Sequence, residues 1–227
     1  MGAVDEAATG ESRAGTKDPF RAFGLASAIT FVAGFIDAVG YAHVGNLYLS
    51  FMSGNTTRLG MALAGHDYAL VVLAGAVIAS FVVGSGLGTL IVEGAAHRSL
   101  SCLLGAEAVL VAVAMALFAA FGSASALVPV AAAMGMQNNA HQVVLHADIG
   151  KSFVTGALFS LGQSFARALR DRASPREWLV YAASWLSFIA GVTTGATVLL
   201  NTNLLTALAI VFAALAALAL AAWRRTR

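Results

Sequence analysis

Charge is what this sequence has least of. Of its 227 residues only 11% are Asp, Glu, Lys or Arg, against about 25% in ordinary soluble domains. That is too little polar surface to cover a water-soluble globule. Cysteine is nearly missing as well: Cys102 stands alone, which excludes a disulfide scaffold and a cysteine-ligated zinc site within one chain. The net charge of +2 gives no basis for nucleic-acid binding. No nucleophile elbow, metal triad or phosphate-binding glycine loop is present, and no soluble domain is there to bind ATP. An enzyme and a primary pump are therefore not expected, and neither is a cofactor.

What is present is apolar. Hydrophobic residues make up 59% of the chain and the mean hydropathy is +0.82, the composition of an all-α integral membrane protein embedded in the lipid bilayer. A spanning helix needs about 20 apolar residues, and the gaps between charges show where such helices fit. Residues 68–92 and 178–223 contain no charged residue, 99–147 contain only Glu107, and 22–57 contain only Asp37. These gaps predict six transmembrane helices, at about 22–42, 69–92, 99–121, 127–147, 178–200 and 203–223. The hinges fall near Gly122-Ser123-Ala124-Ser125 and at Asn201-Thr202-Asn203. Two shorter apolar stretches, about 48–65 and 150–166, carry the breaks Ser53-Gly54-Asn55 and Thr155-Gly156. They read as re-entrant or broken helices, or alternatively as two short true spans, making eight.

Positive charge favours six spans. With the N-terminus in the cytoplasm, Arg13, Lys17, Arg21, Arg98, Lys151, Arg167, Arg170, Arg172, Arg176, Arg224, Arg225 and Arg227 all fall inside, and only Arg58 falls outside, as the positive-inside rule requires. The eight-span alternative moves Arg98 and Lys151 outside and Arg58 inside. Either way both termini are cytoplasmic. The expected organisation is a disordered cytoplasmic N-terminus (1–21), one transmembrane domain (22–223) and a basic cytoplasmic tail (224–227). The Arg-rich 167–177 segment suits anionic headgroups, with Trp178 and Tyr181 as interface anchors. His43 and His97 look interfacial.

The domain reads as two related halves, about 22–121 and 127–223. Phe51-Met52-Ser53-Gly54, followed by Leu59-Gly60, recurs as Phe153-Val154-Thr155-Gly156, followed by Leu161-Gly162. Gly34-Phe35-Ile36-Asp37 aligns with Gly135-Met136-Gln137-Asn138, and Phe81, Gly84 and Gly88 align with Phe188, Gly191 and Gly195. With three spans per half the repeat is inverted (3+3). With four it is parallel (4+4). Inverted repeats with broken helices are an arrangement of secondary transporters, with the site near the midplane between the halves.

Polar residues inside the apolar stretches are the candidate site. A carboxylate in a spanning helix costs about 2.5–3.5 kcal/mol even on lenient scales, so Asp37 marks a cavity, a partner or an ion path. The bland alternative is a carboxyl bonded to a neighbouring helix. Gln137-Asn138-Asn139, with His141 close behind, needs partners inside the bundle. Its carboxamides suit recognition of a neutral or zwitterionic solute, or plain interhelical bonding. Ser53, Asn55 and Thr155 sit at the breaks, where unwound backbone can face a ligand, or where an ordinary polar loop meets the interface. Glu107 is a second titratable candidate. Asp37, Ser53, Asn55, Gln137, Asn138 and Thr155 are thus expected to bind substrate, with Asp37 and Glu107 the candidates for ion or proton coupling. The Gly84/Gly88 and Gly191/Gly195 pairs read as close-packing faces. His141, His146 and Asp148 make a poor ligand set, so no metal site is expected.

The motifs Gly34-Phe35-Ile36-Asp37-Ala38, Phe51-Met52-Ser53-Gly54-Asn55, Gly135-Met136-Gln137-Asn138 and Val154-Thr155-Gly156 resemble the DUF1275 family, the YoaK-like or UPF0700 transmembrane proteins, over about residues 24–220. Ser53 departs from the family's usual Thr but keeps the hydroxyl. The resemblance implies a bacterial inner-membrane protein and supplies no function. The residues themselves point to a small secondary transporter or channel-like permease for a small molecule or ion, with Asp37 as the expected proton- or cation-coupling group, open to homo-oligomer formation. The alternative is a non-transporting membrane scaffold or sensor with a dry bundle.

Overall fold

The computed structural model describes residues 19–95, 98–145, 153–170 and 175–224. The expected N-terminal tail up to residue 18, the basic residues 225–227, and His97, His146, Asp148 and Lys151 lie outside the described residues, as do the side chain of His141 and residues 171–174 of the Arg-rich segment. Eight α-helices account for nearly all the rest: α1 (Pro19–His43), α2 (Met52–Ala64), α3 (Tyr68–Ala95), α4 (Ser99–Phe121), α5 (Val128–Leu145), α6 (Phe153–Ala168), α7 (Pro175–Asn201) and α8 (Leu204–Arg224). No strand occurs among the described residues.

Both expected hinges are present, with local causes. Gly122 takes the left-handed conformation (φ 61°) and closes α4 by donating its N–H to the Phe118 carbonyl at 2.8 Å, as helix-ending glycines do. A 3-10 turn, Ala124–Leu127, then leads into α5. Between α7 and α8, Asn203 accepts the Thr206 N–H at 2.9 Å, an N-cap on the last helix.

Five helices are long and apolar enough to span a membrane: α1 from Phe23, α3, α4, α7 from Trp178, and α8. They match five of the six expected spans. The sixth, expected at 127–147, is α5, which does not reach the same hydropathy because Gln137-Asn138-Asn139 occupies its second half. Burial supplies the reason. Residues 130–137 of α5 are buried without a gap, so this helix meets protein rather than lipid and need not be apolar all round. The spanning stretch of α1 is also mostly buried, whereas only a minority of each of α3, α4, α7 and α8 is buried. α1 and α5 are the two inner helices, and they carry Asp37 and the carboxamide run.

The two inner helices are packed by the same device. On the α1–α7 crossing, a Cβ at Gly34 would strike the Phe188 carbonyl and one at Gly191 the Phe31 carbonyl, while Gly195 abuts the backbone of Phe35. On the α3–α5 crossing, a Cβ at Gly135 would strike the Phe81 carbonyl and one at Gly84 the Ala132 carbonyl, while Gly88 abuts Met136. The pairing is residue for residue that of the sequence repeat. In both crossings the contacts rise together along the two helices (31 to 35 with 191 to 195, 132 to 136 with 84 to 88), so each pair runs parallel. α4 and α8 pack on each other through Leu104, Ala108 and Val111 against Leu208, Val211 and Leu215 in one core cluster.

The start of α3 lies where α1 ends: a Cβ at Gly45 would be 3.6 Å from Leu70 and 3.8 Å from Leu73. The end of α3, Ile91 and Val92, packs in one cluster with Ile29 from the first half of α1, so α3 runs back against the direction of α1. Since α5 is parallel to α3 and α7 to α1, α1 and α5 point opposite ways.

Candidate functional site

The segment between α1 and α2 folds inward. After His43 the chain turns through Val44–Asn46, with Gly45 and Asn46 at positive φ, and runs back along the helix it has just left. Leu47 and Leu49 are fully buried and lie against Gly40, where a Cβ would be 2.7 Å from Leu49 Cγ. Hydrophobic burial of these leucines drags three consecutive backbone units into the interior, and each N–H needs an acceptor.

Asp37 and Asn55 supply those acceptors. Asp37 Oδ1 accepts the N–H of Leu49 at 2.9 Å and of Ser50 at 2.6 Å, and Oδ2 accepts the Ser50 hydroxyl at 2.7 Å. Both carboxyl oxygens are thus bonded, and every partner is a neutral group. Asn55, fully buried in the first turn of α2, grips Tyr48 on both sides: its Oδ1 accepts the Tyr48 N–H at 2.8 Å and its Nδ2 donates to the Tyr48 carbonyl at 2.7 Å. Asp37 lies six residues inside the end of α1, about 9 Å along the axis, so α2 begins at that depth. It runs back outward: Arg58 donates to the Gly45 carbonyl at 2.9 Å, and the turn Gly65–Asp67 delivers the chain to α3.

A second polar group lies at the meeting of α4 and α5. Glu107 is fully buried. Gln137 Nε2 donates to its Oε2 at 3.4 Å, and its Oε1 has no partner among the described residues. Asn138 is half-buried and donates back to the Met134 carbonyl at 3.5 Å. Asn139, which the sequence placed in the carboxamide run without a separate role, reaches across to α3. It donates to the Ser85 carbonyl at 3.2 Å and accepts the Thr89 hydroxyl at 3.2 Å. One signal pointed to it: Asn139 lies one turn beyond Gly135 on the same helical face, the face that touches α3.

The expected site residues thus form two groups. Asp37 and Asn55 come together around residues 48–50. Gln137 joins Glu107, with Asn138 beside it. Ser53 and Thr155 are exposed, in the first turns of α2 and α6.

Asp37 also faces a cleft of about 610 Å³ between the C-terminal halves of α1 and α7, lined by Tyr41, His43, Tyr48, Phe188 and aliphatic residues of α7. The rings of Tyr41 and Tyr48 are 5.3 Å apart. Neither tyrosine stands out in the sequence, since interfacial aromatics are ordinary in a membrane protein. Among the described residues no cluster of His, Cys, Asp and Glu suits a metal ion.

No solved structure gives a significant match to the chain. Among curated proteins, it is 33% identical to the UPF0700 transmembrane protein RA0705 of Rhizobium meliloti (strain 1021) over 76% of this chain and 73% of that protein. It is 28% identical to the UPF0700 transmembrane protein YoaK of Bacillus subtilis (strain 168) over 68% of this chain and 72% of that one. The family model described as "Protein of unknown function (DUF1275)" matches residues 25–222. With nearly all of its helical domain inside that match, the chain is a multi-pass transmembrane protein and belongs to the DUF1275 family.

Proposed function

We propose that this protein is a small secondary transporter or channel-like permease of the bacterial inner membrane, built as a 3+3 inverted repeat with α2 and α6 as short re-entrant helices. The observation that carries the reading is the pair of matching crossings, α1 on α7 and α3 on α5, which tie each half's inner helix to the other half's third helix. The opposite sense of α1 and α5 supports inversion. At 13 residues α2 is about 20 Å long, short of the roughly 30 Å of hydrocarbon, which supports re-entry. Polar groups lie where the halves meet, as in transporters of this type.

The residues take distinct roles in this reading. Asp37 and Asn55 hold the re-entrant segment at depth, and Asp37 presents its charge to the cleft. Gln137 and Asn138 offer carboxamides to a solute, and Ser53 and Thr155 sit at the entry turns. Glu107, with one weak bond and a free oxygen, is the coupling group. No step calls for a cofactor or covalent chemistry.

The test is flux in proteoliposomes under an imposed pH gradient, with a broad panel of small solutes. At least one solute is expected to discharge the gradient with the wild type, and Glu107→Gln, which keeps the shape but cannot ionise, is expected to abolish that discharge. If no solute moves, and a cysteine at Ala196 in the cleft reacts from one side of the membrane only, the protein is a scaffold or sensor instead.

A further inference from the structure

The cleft beside Asp37 combines three features that together select a ligand. The first is a buried carboxyl with no cationic partner. Asp37 is 3% exposed, and every partner it has among the described residues is a backbone N–H or a hydroxyl, none of them cationic. The second is an aromatic wall. Tyr41 and Tyr48 lie with their rings 5.3 Å apart, and Phe188 lines the cleft from α7. The third is an otherwise aliphatic lining, with Val192, Ala196 and Leu199 on α7, around about 610 Å³, a volume typical of small-molecule sites.

An anion would be repelled by the carboxylate. A neutral apolar solute would fill the walls and leave the buried charge facing it uncompensated, which is costly. A cation gains from the carboxylate and from the negative faces of the tyrosine rings together, provided its other end is apolar enough for the aliphatic wall. We propose that the α1–α7 cleft binds a small lipophilic monocation, an amine or quaternary ammonium carrying an apolar group, with Asp37 as its counter-charge and Tyr41 and Tyr48 as its aromatic rest. The inference deepens the transporter reading and rests on it for the sense in which the ligand moves.

The position is built to hold such a charge steady. The bonds that fix Asp37 come from the inward-folded segment, and the same segment carries Tyr48 into the cleft. Charge and ring therefore sit in one rigid unit, held by Asn55 from behind. The opposite wall comes from the other half of the chain. A relative movement of the halves would change the cleft's width while leaving the carboxylate and Tyr48 together.

The experiment is isothermal titration of the full chain in lipid nanodiscs with benzyltrimethylammonium, against neopentylbenzene as the neutral isostere. The cation is expected to bind and the isostere not to displace it. Tyr41→Ala, at a half-exposed position outside the bonds to Asp37, is expected to weaken binding about fivefold. Ala196→Phe, which fills the cleft, is expected to abolish it. Asp37→Asn is expected to weaken it at least tenfold, with circular dichroism and melting confirming that the variant is folded. Equal binding of cation and isostere, or unchanged binding in Ala196→Phe, overturns the assignment. Cation binding without flux of any solute counts against the transporter reading and upholds the site. Flux of another solute with no cation binding overturns the site alone.

Discussion

The main bonds of the Asn55 side chain hold Tyr48. Asn55 is fully buried, and its amide meets the two backbone groups of one residue in a matched pair of bonds. Removing it leaves a Tyr48 N–H and carbonyl without partners in the interior, at about 1–3 kcal/mol for an unsatisfied buried group. Asn55→Ala is therefore expected to lower the melting temperature of the purified protein, followed by tryptophan fluorescence. Asn55→Asp, which keeps the acceptor and loses the donor, should fall between Ala and wild type. A cysteine at Ser53, beside the clamp, should react faster with a maleimide in Asn55→Ala than in the wild-type background. Unchanged melting and labelling would show that the inward fold is held by Asp37 and leucine burial alone. Asp37 itself was legible in the sequence as the lone charge between residues 22 and 57. Its bonds were not, because they run to backbone N–H groups of a loop, and hydropathy and spacing do not reveal where a loop's backbone points.

Glycine does for the helices what Asn55 does for the loop. Gly34, Gly84, Gly135 and Gly191 each lie against a carbonyl of the facing helix, where a methyl group has no room. Without a hydrophobic drive between helices in lipid, such close approach is what associates them. Gly34→Ala and Gly135→Ala should each destabilise by about 1–3 kcal/mol, the usual cost of overpacking, and by similar amounts, since they meet equivalent carbonyls, of Phe188 and Phe81. Gly60→Ala, on the open side of α2, should instead be neutral or stabilising by up to about 1 kcal/mol. Melting curves of the three variants decide it, and a large difference between Gly34→Ala and Gly135→Ala would argue that the two crossings are not equivalent. The spacing of these glycines in the sequence was enough to align the halves, because the packing that requires them acts at fixed helical positions. α5 was harder to read. A helix buried by its neighbours is released from the need for lipid-facing apolarity, so hydropathy describes it less well than it does α3 or α8.

At the scale of the whole molecule, the direction of travel of each helix follows from a few contacts. α3 starts beside Gly45 at the end of α1, so the segment through α2 enters and leaves on one side. α3 crosses back, α4 returns, and α5 enters parallel to α3. With α7 parallel to α1, the proposed six-span arrangement puts the turns at His66, Ser123 and Thr202 on the face opposite to Arg98. The eight-span alternative moves His66 and Ser123 to the face of the termini and sends Arg98 across. Positive charge alone separated the two only weakly, because they differ in the placement of three residues. The structure sharpens the contrast, because a crossing α2 would have to part Gly45 from Leu70. In a Cys102→Ser background, His66→Cys and Ser123→Cys are expected to react with a membrane-impermeant maleimide added to intact cells, and Arg98→Cys only after the membrane is opened. The reverse pattern, Arg98→Cys labelled and the other two protected, would require eight spans. The halves would then be parallel, and the cleft between α1 and α7 would no longer have an inverted counterpart between α5 and α3.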